Sequence, residues 1–258
     1  MSIIKVIKIG GNIIDDQNAL QKFLTDFSSI KTPKILVHGG GKLATKLAKK
    51  MGIEVKMKDG RRITDSDTLD IITMVYAGKI NKNIIAELQS HQCNCIGFTG
   101  ADGNSIVSQK RLPKPIDFGY VGDVEKVNTS VIELLIQNNI TPIFSAITHN
   151  QKGQLLNTNA DTIAAELSIA LAKKHEVELY YCFEKNGLLE NIEDENSVIE
   201  SVNNESYPRL LKKGIIADGM LPKTENCIKA VNHRVSKVYI GKPEMLFTKN
   251  NKHTTFTK

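Results

Sequence analysis

The order of strand and helix patterns along the chain, with glycines at the ends of the first two strands, most constrains the fold. A β-branched run over residues 3–9 leads directly into Gly10-Gly11, and a second run over residues 34–37 ends in His38-Gly39-Gly40-Gly41. A stretch with helical spacing of apolar residues follows each run. This alternation predicts an α/β fold, a three-layer α/β/α sandwich with a mainly parallel central sheet.

Residues 54–64 interrupt the alternation. Lys58-Asp59-Gly60 is a turn signal between two strand-like pieces, so it predicts a β-hairpin. Thr64-Asp65-Ser66-Asp67 then resembles a capped helix start with acidic residues in the first turn. The apolar stripe behind it predicts one long helix that ends near residue 91.

The rest of the chain continues in strands and helices. Strands are predicted over 93–98, 105–108, 120–127, 141–147, 177–183 and 237–240, the last being the final strand, and helices over 159–173 and up to about 233. Charged residues cluster at 173–176 before a strand. We therefore expect an N-terminal lobe of residues 1–173 and a C-terminal lobe of residues 174–258 that share the sheet.

Charge and hydropathy narrow the class of protein. A net charge of +6 suits anionic small molecules such as nucleotides as well as nucleic acid, but the lysines are dispersed and tryptophan is absent. We therefore expect no nucleic-acid partner. No apolar run reaches the roughly 18 residues of a membrane span, and the N-terminus lacks the layout of a signal peptide. These features predict a cytoplasmic protein without a membrane partner.

Cys93 and Cys95 are spaced as C-x-C on a predicted strand, which places both side chains on one face. Buried, small apolar side chains explain this spacing better than a metal or redox site does. No metal-binding residue is therefore predicted.

Four charged side chains stand at positions that suit a site but also have ordinary explanations. Lys8, two residues before Gly10, could hold a phosphoryl group at the carboxyl end of a strand or extend to water. Asp161 could orient two lysines or simply lie in the first turn of a capped helix. Lys223 could present its charge at a helix start or lie on the surface. Arg62 could clamp a carboxylate with its fork or be solvated.

The two glycine clusters also leave alternatives open. Gly10-Gly11 could aim backbone N–H groups at an anion or form a tight turn. Gly39-x-Gly41-x-x-Ala44 matches a loose dinucleotide-binding pattern, so a nucleotide-dependent dehydrogenase is one hypothesis. The same segment is no Walker A loop, because Leu43 stands where Ser or Thr is required. His38 is interpreted as a packed histidine and not as a base.

Taken together, the order and spacing of these motifs resemble the amino acid kinase family. The resemblance rests on Lys8-x-Gly10-Gly11, His38-Gly39-Gly40-Gly41, Gly60-x-Arg62, Asn157-x-Asn159-x-Asp161 and Asp218-Gly219-Met220-x-x-Lys223, and it runs from about residue 3 to about residue 240. It implies transfer of the γ-phosphoryl group of ATP, bound with Mg²⁺, to a small carboxylic acid. The set is most similar to that of family members that phosphorylate the γ-carboxylate of N-acetyl-L-glutamate.

The resemblance also implies roles for individual residues. Lys8 and Lys223 stabilise the transferred phosphoryl group, and Asp161 holds both lysines. The residues implied to bind the N-acyl-L-glutamate are Gly40, Gly41, Arg62 and Asn157. The residues implied to bind the nucleotide are Gly10, Gly11, Asn159, Glu184, Gly187, Ile215, Ile216 and Ala217. The family usually has Ser-Asp-Val-x-Gly where this chain has Phe183-Glu184-Lys185-Asn186-Gly187.

Several alternatives stay open beside this interpretation. The chain could be a carbamate, uridylate or aspartate kinase, or a non-catalytic ligand-sensing protein of the same fold, and the acyl group could be acetyl or succinyl. Family members that arginine inhibits resemble one another in an extra N-terminal helix, whereas only Met1 and Ser2 precede the first predicted strand here. The resemblance therefore implies a homodimer that arginine does not inhibit.

Overall fold

The computed structural model describes residues 3–58, 60–217, 219–248 and 251–258. The strands in these residues are β1 (Ile4–Ile9), β2 (Lys34–His38), β3 (Met57–Lys58), β4 (Arg61–Arg62), β5 (Cys95–Phe98), β6 (Ile106–Lys110), β7 (Gly122–Val127), β8 (Thr141–Ser145), β9 (Ile147–His149), β10 (Leu155–Asn157), β11 (Val177–Cys182), β12 (Ser201–Val202), β13 (Lys237–Gly241) and β14 (Thr254–Phe256). The α-helices are α1 (Gly11–Asp15), α2 (Gln17–Ser29), α3 (Gly41–Lys50), α4 (Ser66–Thr73), α5 (Asn81–Ser90), α6 (Thr129–Gln137), α7 (Ala160–Leu171), α8 (Tyr207–Lys212) and α9 (Met220–Asn232). None of the helices in the described part of the chain is long and apolar enough to cross a membrane.

An eight-stranded sheet forms the centre of the molecule. Its strand order is β12-β14-β13-β11-β1-β2-β8-β5, and every neighbouring pair is parallel except β13 and β14. All five residues of β2 are buried, as expected for a parallel strand covered on both faces. The predicted α/β fold with a mainly parallel sheet is confirmed.

The helices form two groups, and the helices of each group pack against one another. Helix α7 contacts β1, β2 and β11 of the sheet and also α6 and α9, whereas α2 contacts α1 and α5. The largest side chains without solvent exposure include Phe27, Phe144 and Tyr181, and they join one continuous apolar core. Because α7 and α9 touch each other and α7 lies on β1, their first turns are brought to the carboxyl end of that strand.

A second sheet of four strands, β10-β9-β6-β7, was not predicted as a separate unit. The apolar run over 141–147 was predicted as one strand, but β8 ends at Ser145 in the central sheet and β9 begins at Ile147 in the second sheet. Ala146 lies between them. A run of buried apolar residues does not reveal its strand partners, so only the tertiary structure shows the change of sheet.

The hairpin and the helix after it agree with prediction. Strands β3 and β4 pair antiparallel, and the turn residue Asp59 lies outside the described residues. Asp65 caps α4 by accepting a hydrogen bond from the N–H of Thr68. The long helix is continuous to Ser90, but Met74–Ile80 is π-helical, which the helical spacing of apolar residues did not indicate.

The C-terminal part requires one correction. The predicted last strand over 237–240 is β13, but β14 follows it and pairs antiparallel with it, so β13 is not the final strand. Phe256 of β14 is completely buried. Strand β12 was also not predicted, because two or three residues are too few to show an alternating pattern.

Candidate active site

Three charged side chains that are distant in the chain meet near the carboxyl end of β1. Lys8 lies on β1, Asp161 in the first turn of α7 and Lys223 in the first turn of α9. Nζ of Lys8 is 2.7 Å from Oδ1 of Asp161, and Nζ of Lys223 is 2.7 Å from Oδ2. One carboxylate thus contacts two ammonium groups, and we call these three residues the lysine–aspartate cluster.

The cluster lies largely out of water. The side chains of Lys8, Asp161 and Lys223 are 13%, 17% and 11% exposed. Burial lowers the pKa of Lys8, and the Asp161 carboxylate opposes this effect. Burial by itself raises the pKa of Asp161, but the ammonium groups of Lys223 and Lys8 together outweigh it and hold the pKa well below the ordinary carboxyl value. Two ammonium groups against one carboxylate leave a net positive charge, which suits an anionic ligand.

The position of Asp161 follows from the way α7 begins. Asn159 is the N-cap, and its Oδ1 accepts hydrogen bonds from the N–H groups of Asp161 at 2.8 Å and Thr162 at 3.1 Å. Capping therefore engages the side-chain oxygen of Asn159 and leaves its amide group to reach a ligand. Thr158, the residue before the cap, shares a buried hydrogen bond with the hydroxyl of Thr148 at 2.7 Å.

The first glycine pair lies beside the cluster. Gly10 precedes α1 and donates its N–H to the oxygen of Cys182 at 3.2 Å, so this group is not free for a ligand. A Cβ atom at Gly10 would lie 4.0 Å from Nζ of Lys8, which shows how closely the backbone approaches that lysine. Gly11 is the first residue of α1, where N–H groups lack intrahelical partners.

The second glycine cluster connects β2 to α3. Gly40 has φ of +153°, and a Cβ atom there would lie 2.1 Å from Cδ1 of Ile80. The backbone conformation therefore favours glycine at this position, and any side chain would also displace the end of Ile80. Gly41 begins α3, so its N–H points out of the start of the helix, toward the edge of the central sheet where the carboxyl ends of β1 and β2 lie.

Arg62 lies beside Gly41. Only 9% of Arg62 is exposed, and its guanidinium donates hydrogen bonds to the oxygen of Gly41 at 2.9 Å and to Oγ1 of Thr45 at 2.7 Å. The alternative that it is a solvated hairpin arginine is therefore wrong. Asn157, at the end of β10, donates from Nδ2 to Oγ1 of Thr64 at 3.0 Å, which connects it to the segment that follows Arg62.

Two depressions adjoin these residues. The smaller is a groove of about 490 Å³ lined by Gly41, Lys42, Thr45, Lys46, Lys49, Met57 and Arg62. The larger is a cleft of about 760 Å³ that has Lys8, Gly10 and Lys223 in its wall. The groove and the cleft thus adjoin different parts of the predicted site, and both have cationic walls.

The cleft includes most of the residues predicted to bind a nucleotide in the C-terminal part of the chain. Glu184, Gly187, Ile215 and Ala217 line it. Ile216 is not among the lining residues, because its side chain is 4% exposed and packs into the core, and its role toward the nucleotide stays a prediction. Asp218 of the predicted motif lies outside the described residues.

Other residues of the cleft were not predicted from the sequence. Phe183, Leu189, Ile192 and Met220 line its wall, and Ile192 is 73% exposed. Phe183 and Met220 stand in segments quoted for the family resemblance but were not named as site residues. Leu189 and Ile192 lie outside the helices and strands, where the sequence has no periodic pattern that could identify them.

His38 is packed and not a base, as interpreted from the sequence. It is completely buried, with Nδ1 donating to the oxygen of Gly39 at 2.9 Å and Nε2 accepting from Nδ2 of Asn81 at 3.0 Å. Burial lowers the pKa of its imidazole to about 4. A neutral ring with both nitrogens engaged has no proton-transfer role at neutral pH.

The four cysteines are free and buried. Burial raises the pKa of Cys95 to about 12, so its thiol stays protonated. Among the described residues, no three His, Cys, Asp or Glu side chains are close enough together to hold a metal ion.

The comparison with known protein families decides which family the chain belongs to. Residues 4–242 match the model of the amino acid kinase family. The chain belongs to this family. Because the chain belongs to the amino acid kinase family, the dehydrogenase hypothesis based on Gly39-x-Gly41-x-x-Ala44 is wrong.

Several members of the amino acid kinase family are close in sequence. An acetylglutamate kinase from Cytophaga hutchinsonii is 51% identical over 256 residues, which cover 99% of this chain and 97% of that protein. An acetylglutamate kinase from Phocaeicola vulgatus is also 51% identical, over 91% of each chain.

Solved structures agree with the fold. The smu.665 protein of Streptococcus mutans has a TM-score of 0.82 at 27% identity and covers 98% of both chains. Carbamate kinase from Giardia lamblia, at 15% identity, has a TM-score of 0.72 over 100% of this chain and 99% of its own. At that identity the likeness concerns the fold alone.

Proposed function

We propose that this chain transfers the γ-phosphoryl group of ATP to the γ-carboxylate of N-acetyl-L-glutamate, the step known from arginine biosynthesis. The acetylglutamate kinases that are 51% identical over nearly the full length support the substrate. The observation that carries the mechanism is the lysine–aspartate cluster, where two ammonium groups in the wall of the larger cleft share the carboxylate of Asp161.

The chemistry requires alignment and charge stabilisation and no base. A γ-carboxylate is already ionised at neutral pH, so no proton has to be removed. In phosphoryl transfer, negative charge spreads over the oxygens of the transferred group. The ammonium groups of Lys8 and Lys223 stabilise this charge, and Asp161 keeps the two lysines together.

The two depressions fit the two substrates. The cleft beside Glu184, Gly187, Ile215 and Ala217 accommodates the nucleotide, and Gly11 and Gly41 offer N–H groups to phosphate oxygens. Mg²⁺ would be held by phosphate oxygens and water and would neutralise phosphate charge, because the described residues provide no metal cluster of their own. In this proposal residues 174–258 form the nucleotide lobe and the protein works in the cytoplasm.

The acyl-glutamate is proposed to bind in the N-terminal lobe, residues 1–173. Nη2 of Arg62 donates to Gly41 and Thr45, and the remaining N–H groups of its guanidinium can donate to an α-carboxylate. Gly40, Gly41 and Asn157 complete the proposed site. The lysines of the adjoining groove attract an anionic substrate.

The test is ADP release with a panel of acceptors. We expect turnover with N-acetyl-L-glutamate or N-succinyl-L-glutamate and little with free glutamate, aspartate, carbamate or UMP. Comparing the two acyl-glutamates determines the acyl group. Turnover with aspartate, carbamate or UMP alone would identify another amino acid kinase, and no turnover with any acceptor would support a ligand-sensing protein.

The substitution Arg62→Lys is expected to raise the KM for the acyl-glutamate by at least about tenfold, because an ammonium cannot keep the contacts with Gly41 and Thr45 and also donate to the substrate as the planar guanidinium can. The KM for ATP should stay within about twofold. Arg61→Lys, at the exposed neighbouring position, is the matched control and should change neither. An increase confined to the KM for ATP would assign Arg62 to the nucleotide.

We also propose a homodimer formed across the helical segment 66–90. Met74 on this segment is 51% exposed, and Ile96 on β5, which packs against α5, is 43% exposed. Pairs with two-fold symmetry are the commonest oligomers. Light scattering should give twice the 28.6 kDa chain mass, and Met74→Glu should halve it. Met51→Glu, at a methionine 54% exposed, should leave the mass unchanged, and a monomeric wild type would contradict the proposal.

A further inference from the structure

Tyr181, on β11, contacts two members of the lysine–aspartate cluster. Its hydroxyl donates a hydrogen bond to the backbone oxygen of Asp161 at 2.9 Å. The centroid of its ring is 4.9 Å from Nζ of Lys223. In the parallel pairing of β1 with β11, Tyr181 lies opposite Lys8. The residue therefore adjoins all three members of the cluster, and it has no solvent exposure.

A second aromatic ring extends this contact. Phe183 lies two residues after Tyr181, so the two side chains point to the same face of the central sheet. Its ring centroid is 5.9 Å from Nζ of Lys223, and its N–H is anchored to the oxygen of Gly241 at 3.0 Å. The ammonium of Lys223 is thus held by one carboxylate and faced by two aromatic rings.

The rings restrain the cation without neutralising it. The Lys223 ammonium has three N–H donors, of which one goes to Asp161. A second carboxylate would occupy another donor and cancel the remaining charge. An aromatic face within about 6 Å attracts the cation by its quadrupole, so the charge and the other donors stay available to an anion.

The hydroxyl of Tyr181 contacts Asp161, the partner of Lys223 in the ion pair. Asp161 lies in the first turn of α7, and a hydrogen bond to its backbone oxygen fixes that turn relative to β11. Burial raises the pKa of Tyr181 well above the ordinary phenol value, so the hydroxyl remains a donor throughout the working pH range. One buried side chain thereby restrains both the carboxylate and the ammonium.

We propose that Tyr181 is a positioning residue for phosphoryl transfer, which holds Asp161 through its hydroxyl and Lys223 through its ring, with Phe183 as the second ring. This inference rests on the proposed function of the cluster. Neither residue contacts the reacting atoms, so the effect should appear in turnover and not in substrate binding. A residue that shifts a catalytic group by about 1 Å can change the rate about a hundredfold.

The test separates the hydroxyl from the ring. Tyr181→Phe removes only the hydroxyl and should lower kcat about tenfold, with both KM values within about threefold. Tyr181→Leu also removes the ring and should lower kcat about a hundredfold. Both KM values of Tyr181→Leu should also stay within about threefold of the wild type.

Tyr180→Phe is the matched control. Tyr180 precedes Tyr181 on β11 and donates its hydroxyl to Glu178 at 2.6 Å, away from the cluster. This variant should retain the wild-type kcat. A kcat of Tyr181→Phe within about twofold of the wild type, or an equal loss of kcat in Tyr180→Phe, would overturn the proposal.

A measurement without turnover distinguishes this proposal from the proposed function. The rate of acetic anhydride labelling of Lys223, quantified by mass spectrometry at fixed pH, should rise about fivefold or more in Tyr181→Leu, because the ring no longer faces and restrains the Lys223 side chain. It should be unchanged in Tyr180→Phe. A wild type that phosphorylates no acyl-glutamate contradicts the proposed function, whereas an unchanged labelling rate in Tyr181→Leu contradicts the positioning role.

Discussion

Lys8→Ala and Lys223→Ala are each expected to lower kcat by more than about a hundredfold in steady-state ADP release. Both ammonium groups contact the same carboxylate and lie at the wall of the larger cleft, with little solvent to screen them. In the proposed mechanism they oppose charge that develops on the transferred group, so removing either one should raise the barrier to transfer more than it weakens binding. The KM values should change much less than kcat.

Lys5→Ala is the control for these substitutions. Lys5 lies on β1 three residues before Lys8, so it faces the other side of the sheet, where its Nζ is 5.3 Å from the ring of Tyr180. Its loss should leave kcat within about twofold. Wild-type turnover in Lys8→Ala or in Lys223→Ala would refute the mechanism.

The pH profile provides a related expectation. Burial lowers the pKa of Lys8 below its ordinary value of 10.5, and in the proposed mechanism only the ammonium form stabilises the phosphoryl group. The kcat of the wild type should therefore fall as the pH rises, with a midpoint below 10.5. A profile that stays flat through this range would show that the charge of Lys8 is not required.

Asp161→Asn is expected to have the second large effect, a fall in kcat of about a thousandfold together with a loss of unfolding free energy of about 3 kcal/mol. Asparagine keeps the shape of the side chain but removes the negative charge between two ammonium groups. Lys8 and Lys223 then repel each other in a site that is little exposed. The repulsion disturbs the arrangement of the two lysines and destabilises the folded chain. Chemical denaturation measures the stability, and ADP release measures kcat.

The stability difference should depend on pH in a defined direction. The pKa of Asp161 is lower in the folded chain than in the unfolded chain, so the carboxylate stabilises the fold fully above its unfolded pKa and loses this effect as the pH falls toward the folded pKa. The wild type and Asp161→Asn should therefore differ by a constant amount at neutral pH and converge only below about 3.8.

Glu166→Gln is the control, because Glu166 also lies on α7 and pairs with Lys229, which is 49% exposed. Its effect on unfolding should stay below about 1 kcal/mol. A fall in kcat in this variant as large as that in Asp161→Asn would assign the effect to the helix and not to the cluster.

Local sequence determined the elements and several of their boundaries. Alternating strand and helix patterns, the turn around Gly60 and the caps at Asp65 and Asn159 involve residues within a few positions of each other, so their physics is readable from the chain. The motif order also identified Lys8, Asp161 and Lys223 before their contacts were visible. That identification came from resemblance, because each residue had an ordinary explanation of its own.

Tertiary structure alone decided which of these residues meet and what holds them. Lys223 and Asp161 are 62 residues apart in sequence, and only the contact between α7 and α9 brings them within 2.7 Å. The same packing turned Ile216 inward, moved the chain from one sheet to the other at Ala146, and placed Tyr181 against the cluster. Such contacts depend on how whole elements bury their apolar faces against one another, and no spacing of neighbouring residues encodes them.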